Sequence, residues 1–151
     1  MRLTKFTDYS LRILIYVAAR GGERTTIEDA ALHFGISMAH LKKVVLHLSR
    51  AGFLHGNRGR TGGFELARAP DLINIGAVIR STEPDFGLFE CFLEGNTCAI
   101  TRPCRLPTIG HEALHAFLGV FDRYTLADVL LRPDLFVTPS SGALQPVRRF
   151  P

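Results

Sequence analysis

Several things are missing from this chain of 151 residues, and each absence removes a class. No apolar run approaches the ~20 residues that a membrane-spanning helix needs, so no bilayer partner is expected. Residues 11–19, behind Arg2 and Lys5, faintly resemble a secretory leader. Asp8 and Arg12 break that pattern, because the apolar core of a leader is uncharged. The expected location is therefore the cytoplasm. No glycine motif for nucleotides is present and no nucleophile–base set stands out, so the chain is not expected to be an enzyme. Internal repeats are absent. Cysteine is scarce, with only Cys91, Cys98 and Cys104. An odd, tightly clustered set without a leader argues against a disulfide framework. No Cys-x-x-Cys pair occurs either, and paired cysteines of that kind are the common unit of structural zinc.

What is present is enough for a core, since 46% of the residues are apolar. Lys and Arg number 18 against 14 Asp and Glu, a net charge of +4. A mild basic excess fits a polyanion, but only the placement of the charge can decide.

Periodicity supplies the architecture. Residues 5–20 read as a helix, with Thr7 as its cap, Asp8 in its first turn, and Leu11, Leu14, Ile15 and Ala18 on one face. Gly21-Gly22 ends it. Thr25 or Thr26 caps a short second helix bearing Ile27, Ala30, Ala31 and Phe34, stopped by Gly35. Ser37 caps a third, with Leu41, Val44, Val45 and Leu48 at the same spacing. Two short amphipathic helices around a glycine turn make a helix-turn-helix. The period then changes. Phe53-Leu54-His55 and Phe64-Glu65-Leu66 read as strands around a glycine- and arginine-rich tip, a basic β-wing. Residues 74–82 form a short helix broken by Pro84, with Ile75, Val78 and Ile79 inward. A long helix starts near Pro107 with Leu114, Phe117, Leu118 and Phe121 on one face, and Thr125 caps a last turn. The expected fold is mainly α with a small β-wing, a winged helix-turn-helix followed by a C-terminal helix. The divisions are 1–83 for the DNA-binding unit, 84–106 for the cysteine loop, 107–131 for the long helix, and 132–151 for a proline-rich tail without fixed structure.

In a helix-turn-helix the second helix enters the major groove of double-stranded DNA. Its outward positions here are Ser37, Met38, His40, Lys42, Lys43 and His47. Ser37 suits a phosphate, His40 a base edge, and Lys42 and Lys43 phosphates, with Lys42 also able to reach a base. Arg50, with Arg58, Arg60 and Gly62 of the wing, completes the DNA-facing set. The competing reading is a three-helix interaction domain with a solvated basic face. The short second helix, basic third helix and Gly-Arg wing together favour DNA.

The cysteine loop leaves more open. Six residues separate Cys91 from Cys98 and five separate Cys98 from Cys104. Three thiolates are one ligand short of the usual four, so another group must complete a centre. From spacing alone an iron–sulfur cluster ranks ahead of zinc, and free thiols come third. His111 and His115, one helical turn apart, could bind a metal, but a solvated helix face is the preferred reading.

Taken together these features resemble a known family. They are the opening Met1-Arg2-Leu3-Thr4-Lys5-Phe6-Thr7-Asp8-Tyr9-Ser10-Leu11-Arg12, the wing Arg58-Gly59-Arg60-Thr61-Gly62-Gly63-Phe64-Glu65-Leu66, the three-cysteine loop, and Asp122-Arg123-Tyr124-Thr125-Leu126-Ala127-Asp128. The chain resembles the bacterial iron–sulfur winged-helix regulators, on their nitric-oxide-sensing branch, from residue 1 to about 131. The resemblance implies a homodimeric repressor joined through the long helix. It implies a cluster on Cys91, Cys98 and Cys104, with Asp8 of the partner subunit as fourth ligand and Arg12 orienting Asp8. Family members that monitor iron–sulfur status place a histidine three positions after the third cysteine and hold a 2Fe–2S cluster. Pro107 stands there in this chain, which favours a 4Fe–4S cluster, although the first cysteine spacing is one residue longer than in those members. The implied role is repression of nitric oxide detoxification genes, relieved when nitric oxide attacks the cluster. A redox or iron–sulfur-status regulator is the alternative, and an iron–sulfur electron carrier is the alternative of another class.

Overall fold

Helix α1, Lys5–Ala19, begins where the periodicity places it, but its cap lies three residues before the expected one. In the computed structural model, which describes residues 2–57 and 62–130, Thr4 caps it. Thr4 is extended, and its hydroxyl accepts the Thr7 N–H at 3.3 Å. Thr7, expected as the cap, is fully buried inside the helix. The buried face also differs from the expected stripe: Ile13, Leu14, Tyr16 and Val17 are buried, and Leu11, Ile15 and Ala18 only flank them. The cause is that α1 runs through the middle of the molecule, and a helix covered from several directions needs an apolar surface wider than one stripe.

Helix α2, Ile27–Phe34, starts with a reciprocal capping box: Thr26 accepts from Asp29 N–H, and the Asp29 carboxylate accepts from Thr26 N–H. It ends at Gly35, whose φ of 62° is the left-handed conformation that favours glycine. Helix α3, Met38–Arg50, follows at once from its cap Ser37. Its Leu41, Val44, Val45 and Leu48 are all buried, as the spacing requires.

Strands β1, Leu54–Asn57, and β2, Gly63–Leu66, pair antiparallel, with Leu54 opposite Leu66 and Asn57 opposite Gly63. Thr25 adds a bridge to Phe64. Gly63 permits this close approach, since a Cβ there would stand 2.8 Å from the Thr25 carbonyl. Residues 58–61, which include Arg58 and Arg60, lie outside the described residues, as does the tail from residue 131.

Helix α4, Ile75–Thr82, is capped by Asn74 and stops at Glu83, just before Pro84. The Glu83 carboxylate accepts from both the N–H (2.8 Å) and the hydroxyl (3.1 Å) of Thr4, which ties the end of α4 to the start of α1. Helix α5, Leu106–Phe121, runs from the cysteine loop back to α4. A short 3-10 turn, Leu126–Val129, closes the fold, and Leu126 is fully buried beside α1. The mainly α, β-winged architecture is the expected one. Among the described residues no helix is long and apolar enough to cross a membrane.

Candidate DNA-reading face and cysteine pocket

Helix α3 buries one side and leaves Ser37, Met38, His40, Lys42, Lys43 and Arg50 exposed. The Ser37 hydroxyl serves the helix first. It accepts the His40 N–H at 3.4 Å and lies 3.0 Å from His40 Nδ1, which leaves the Nε2 edge of that ring outward. His47 departs from the expected outward set: its ring sits edge-on against Phe6 at 5.3 Å, and its Nε2 is buried without a partner. The packing of α1 across α3 puts Phe6 over that part of it. The same placement brings Lys5 and Tyr9 beside His40 and Lys43, around a hollow of about 160 Å³. Sequence periodicity could not find these two, because they lie on another helix. Gly62 is exposed immediately before β2.

The three cysteines, all free thiols, line one pocket of about 130 Å³ with Phe89, Glu90, Ile100, Thr101, Leu106 and Pro107. Cys91 and Cys104 are half-buried and Cys98 is exposed. Hydrogen bonds within the loop set its shape. Glu90 accepts from the Thr97 N–H and hydroxyl, both at 3.1 Å. Asn96 Oδ1 accepts from Cys98 N–H at 2.9 Å, and Cys104 N–H donates to the Ile100 carbonyl at 3.0 Å. The Leu106 N–H points at Cys104 Sγ at 3.4 Å. Aromatic rings dock the loop on α5. Phe92 stacks on His111 with centroids 4.3 Å apart, and Phe89 meets Phe92 edge-on. Gly110 makes room for both rings, since a Cβ there would stand 2.8 Å from Phe92 and 2.9 Å from Phe89. His111 is thus engaged with a ring, and Asp122, whose carboxyl is held below its ordinary value first by the hydrogen bond from Arg80, also feels His115.

Asp8 lines a separate hollow with Arg2, Leu3, Thr4, Lys5 and Leu11, so one chain alone does not bring it to the cysteines. Arg12 grips it with two contacts, Nη2 to Oδ2 at 2.8 Å and Nε to Oδ1 at 3.1 Å, and both side chains are about half exposed. On α5, Leu106, Ile109 and Val120 are exposed apolar residues spaced to form one stripe, uncovered in the single chain.

Residues 3–132 match the family model of Rrf2, described as an iron-dependent transcriptional regulator. The chain belongs to the Rrf2 family. It is similar to the HTH-type transcriptional regulators NsrR of Geobacillus kaustophilus, at 49% identity over 86% of this chain and 90% of that protein, and of Bacillus licheniformis, at 47% over 89% and 95%. Among solved structures it resembles T. potens IscR, with a TM-score of 0.65, 23% identity and 85% of each chain covered, a likeness of fold. This Rrf2 chain is therefore a winged helix-turn-helix transcriptional regulator.

The donor set can be tested against the iron that the family description names. Among the described residues, no three His, Cys, Asp or Glu side chains converge closely enough to share a single metal ion. A mononuclear zinc centre, with four ligands on one ion, is not preformed. Three thiols spaced around one small, largely apolar pocket suit a polynuclear iron–sulfur group, whose ligands bind different irons.

Proposed function

We propose that this Rrf2 protein is a homodimeric repressor that senses nitric oxide through an iron–sulfur cluster held by Cys91, Cys98 and Cys104. The observation that carries this reading is the gathering of three free thiols in one pocket at the head of α5, on a chain whose α3 presents a basic, DNA-facing surface. Its NsrR relatives lie on the same branch that the opening residues, wing and cysteines resemble. When bound, the cluster supplies iron that reacts with nitric oxide. The chain's own residues do the rest. The thiolates hold the group, and the Leu106 N–H donates to Cys104 Sγ and fixes its direction. Asp8 of the partner subunit supplies the fourth ligand, held in orientation by its Arg12. A carboxylate is a hard, weak ligand for iron and would be displaced readily by a small molecule. Pro107 occupies the position of the histidine found in 2Fe–2S members, so a 4Fe–4S cluster is favoured. The apolar stripe on α5 forms the dimer contact. Ser37, His40, Lys42, Lys43 and Arg50, with Arg58, Arg60 and Gly62 of the wing, contact the operator. The protein is a regulator and not an enzyme.

Native mass spectrometry of the dimer prepared without oxygen tests this. One 4Fe–4S mass per subunit, converting to iron-nitrosyl adducts on addition of nitric oxide, is the expected result. A zinc or cluster-free mass that ignores nitric oxide overturns the sensing role. Asp8→Ala should leave the fold intact and shorten the lifetime of the cluster; an equally durable cluster removes Asp8 from the ligand set.

A further inference from the structure

The segment Asp122 to Asp128 has no part in either the cysteine pocket or the DNA face, yet it is held more elaborately than any other turn described. The Asp122 carboxylate takes a two-pronged contact from Arg80 of α4, Nη1 to Oδ1 at 2.5 Å and Nη2 to Oδ2 at 2.6 Å. It lies directly on Gly76, where a Cβ would overlap the carboxylate and reach 2.9 Å from Arg80 Nη1. The Asn74 amide caps the carbonyls of Asp122 and Tyr124 at 2.8 and 3.3 Å. Backbone bonds from Ile75 N–H to Tyr124 and from Leu126 N–H to Ile73 complete the joint.

We infer that the Arg80–Asp122 fork, seated on Gly76, is the positioning joint through which α5 fixes the angle of each DNA-binding unit within the dimer. The inference rests on the proposed function. Helix α5 is a rod of 16 residues, about 24 Å long at the usual rise, with the cysteine pocket at its head and Asp122 at its foot. Within one subunit the foot of α5 is joined to the recognition helix by packing, since α5 meets α4, α4 packs on α1 and α1 on α3. Both charged groups are about two-fifths exposed, and exposed ion pairs contribute little to stability. What a bidentate fork does supply is direction, since two parallel bonds fix a plane that one bond does not. Glycine inside a helix is unfavourable relative to alanine, and α4 carries one at the single place where the carboxylate must lie flat. Asp122 is held ionised, its carboxyl below the ordinary value chiefly through the hydrogen bond from Arg80.

Angle and stability are separated by measuring affinity against half-site spacing. One base pair inserted between half-sites turns one of them by about 35° relative to the other. The cluster-loaded and cluster-free dimers are titrated with the native operator, with a one-base-pair insertion, and with a duplex holding a single half-site. For the unaltered protein the insertion should weaken binding by about tenfold, the scale of one spoiled base-pair contact. Arg80→Lys keeps the charge and loses the fork; Asp122→Asn keeps the shape and loses the charge. Both should bring the insertion penalty below about threefold, with single half-site affinity unchanged and the melting temperature hardly moved. Gly76→Ala should act in the same direction. If Arg80→Lys and Asp122→Asn keep the full spacing penalty, the joint has no positioning role and the inference is wrong, while the regulator reading stands. If the unaltered protein shows no cluster-dependent operator binding, the functional reading fails and takes the joint with it.

Discussion

At the scale of single residues, Gly110 decides how the cysteine loop meets the rest of the chain. Alanine there would gain about 1 kcal/mol of helix propensity. It would also push on Phe92 and Phe89, and crowding of that kind in a fixed core costs about 1–3 kcal/mol. Here the crowded rings belong to a loop that can move off the helix. Gly110→Ala should therefore leave global unfolding nearly unchanged and make Cys91 react faster with a thiol reagent, read by timed alkylation and mass analysis. An unchanged labelling rate would show that the rings do not hold the loop. His33 is a second case. Burial, then the charge of Arg20, keeps its imidazole below the ordinary 6.5. The folded state thus binds this proton less readily than the unfolded state. The resulting stability is complete above pH 6.5 and declines as pH falls through the lower folded value. Urea unfolding at pH 7.5 and 5.5 should show a loss at the lower pH that His33→Gln reduces. Neither residue announced its role in the sequence. Gly110 sits inside a helix whose period needs no glycine, and the rings it admits come from an irregular loop.

At the scale of elements, α2 and α3 were legible because each has a cap and a repeat that agree. Thr26 illustrates this, since its capping box satisfies two orphan donors of α2 at once. A helix of eight residues has little else of its own to hold it. Thr26→Ala should destabilise the protein by about 1 kcal/mol, as a lower urea midpoint with unchanged slope. The start of α1 was read correctly at residue 5, but its cap was placed at Thr7, because Thr4 and Thr7 are both competent caps and only packing separates them. A β-branched methyl can be buried at Thr7 once Thr4 has taken the cap. Likewise the outward reading of His47 followed from α3 alone, whereas Phe6 of α1 covers it. Local pattern fixes which residues form a helix. It does not show which neighbour lies over a given flank, and that is where these readings departed from the structure.

At the scale of the molecule, the core under α3 is built from residues far apart in the chain. Leu118 of α5 and Leu126 of the closing turn join Ile13, Leu14, Leu48 and Ile79 in one apolar cluster. Leu126 is fully buried, although every residue of the helix-turn-helix precedes it by a wide margin. Leu126→Ala should remove about 2–5 kcal/mol, the usual range for a core leucine, and it should do so in the same cooperative transition that unfolds α1 to α3. Hydrogen exchange of α3 amides in that variant would report it, and unaltered protection would mean that the two parts unfold separately. The cysteine positions were legible by type and order. Their convergence into one pocket rests on the docking of Phe92 against Gly110, and Asp8 lies in a separate hollow, so neither placement could be read from spacing along the chain.

The buried Leu126 also bears on how the protein comes into being. A ribosome releases the recognition helix early and the residue that seals the core beneath it late. A growing chain therefore carries the complete DNA-contacting surface before it can hold that surface in shape. The core beneath α3 can be completed only after residue 126 has emerged, long after α3 itself.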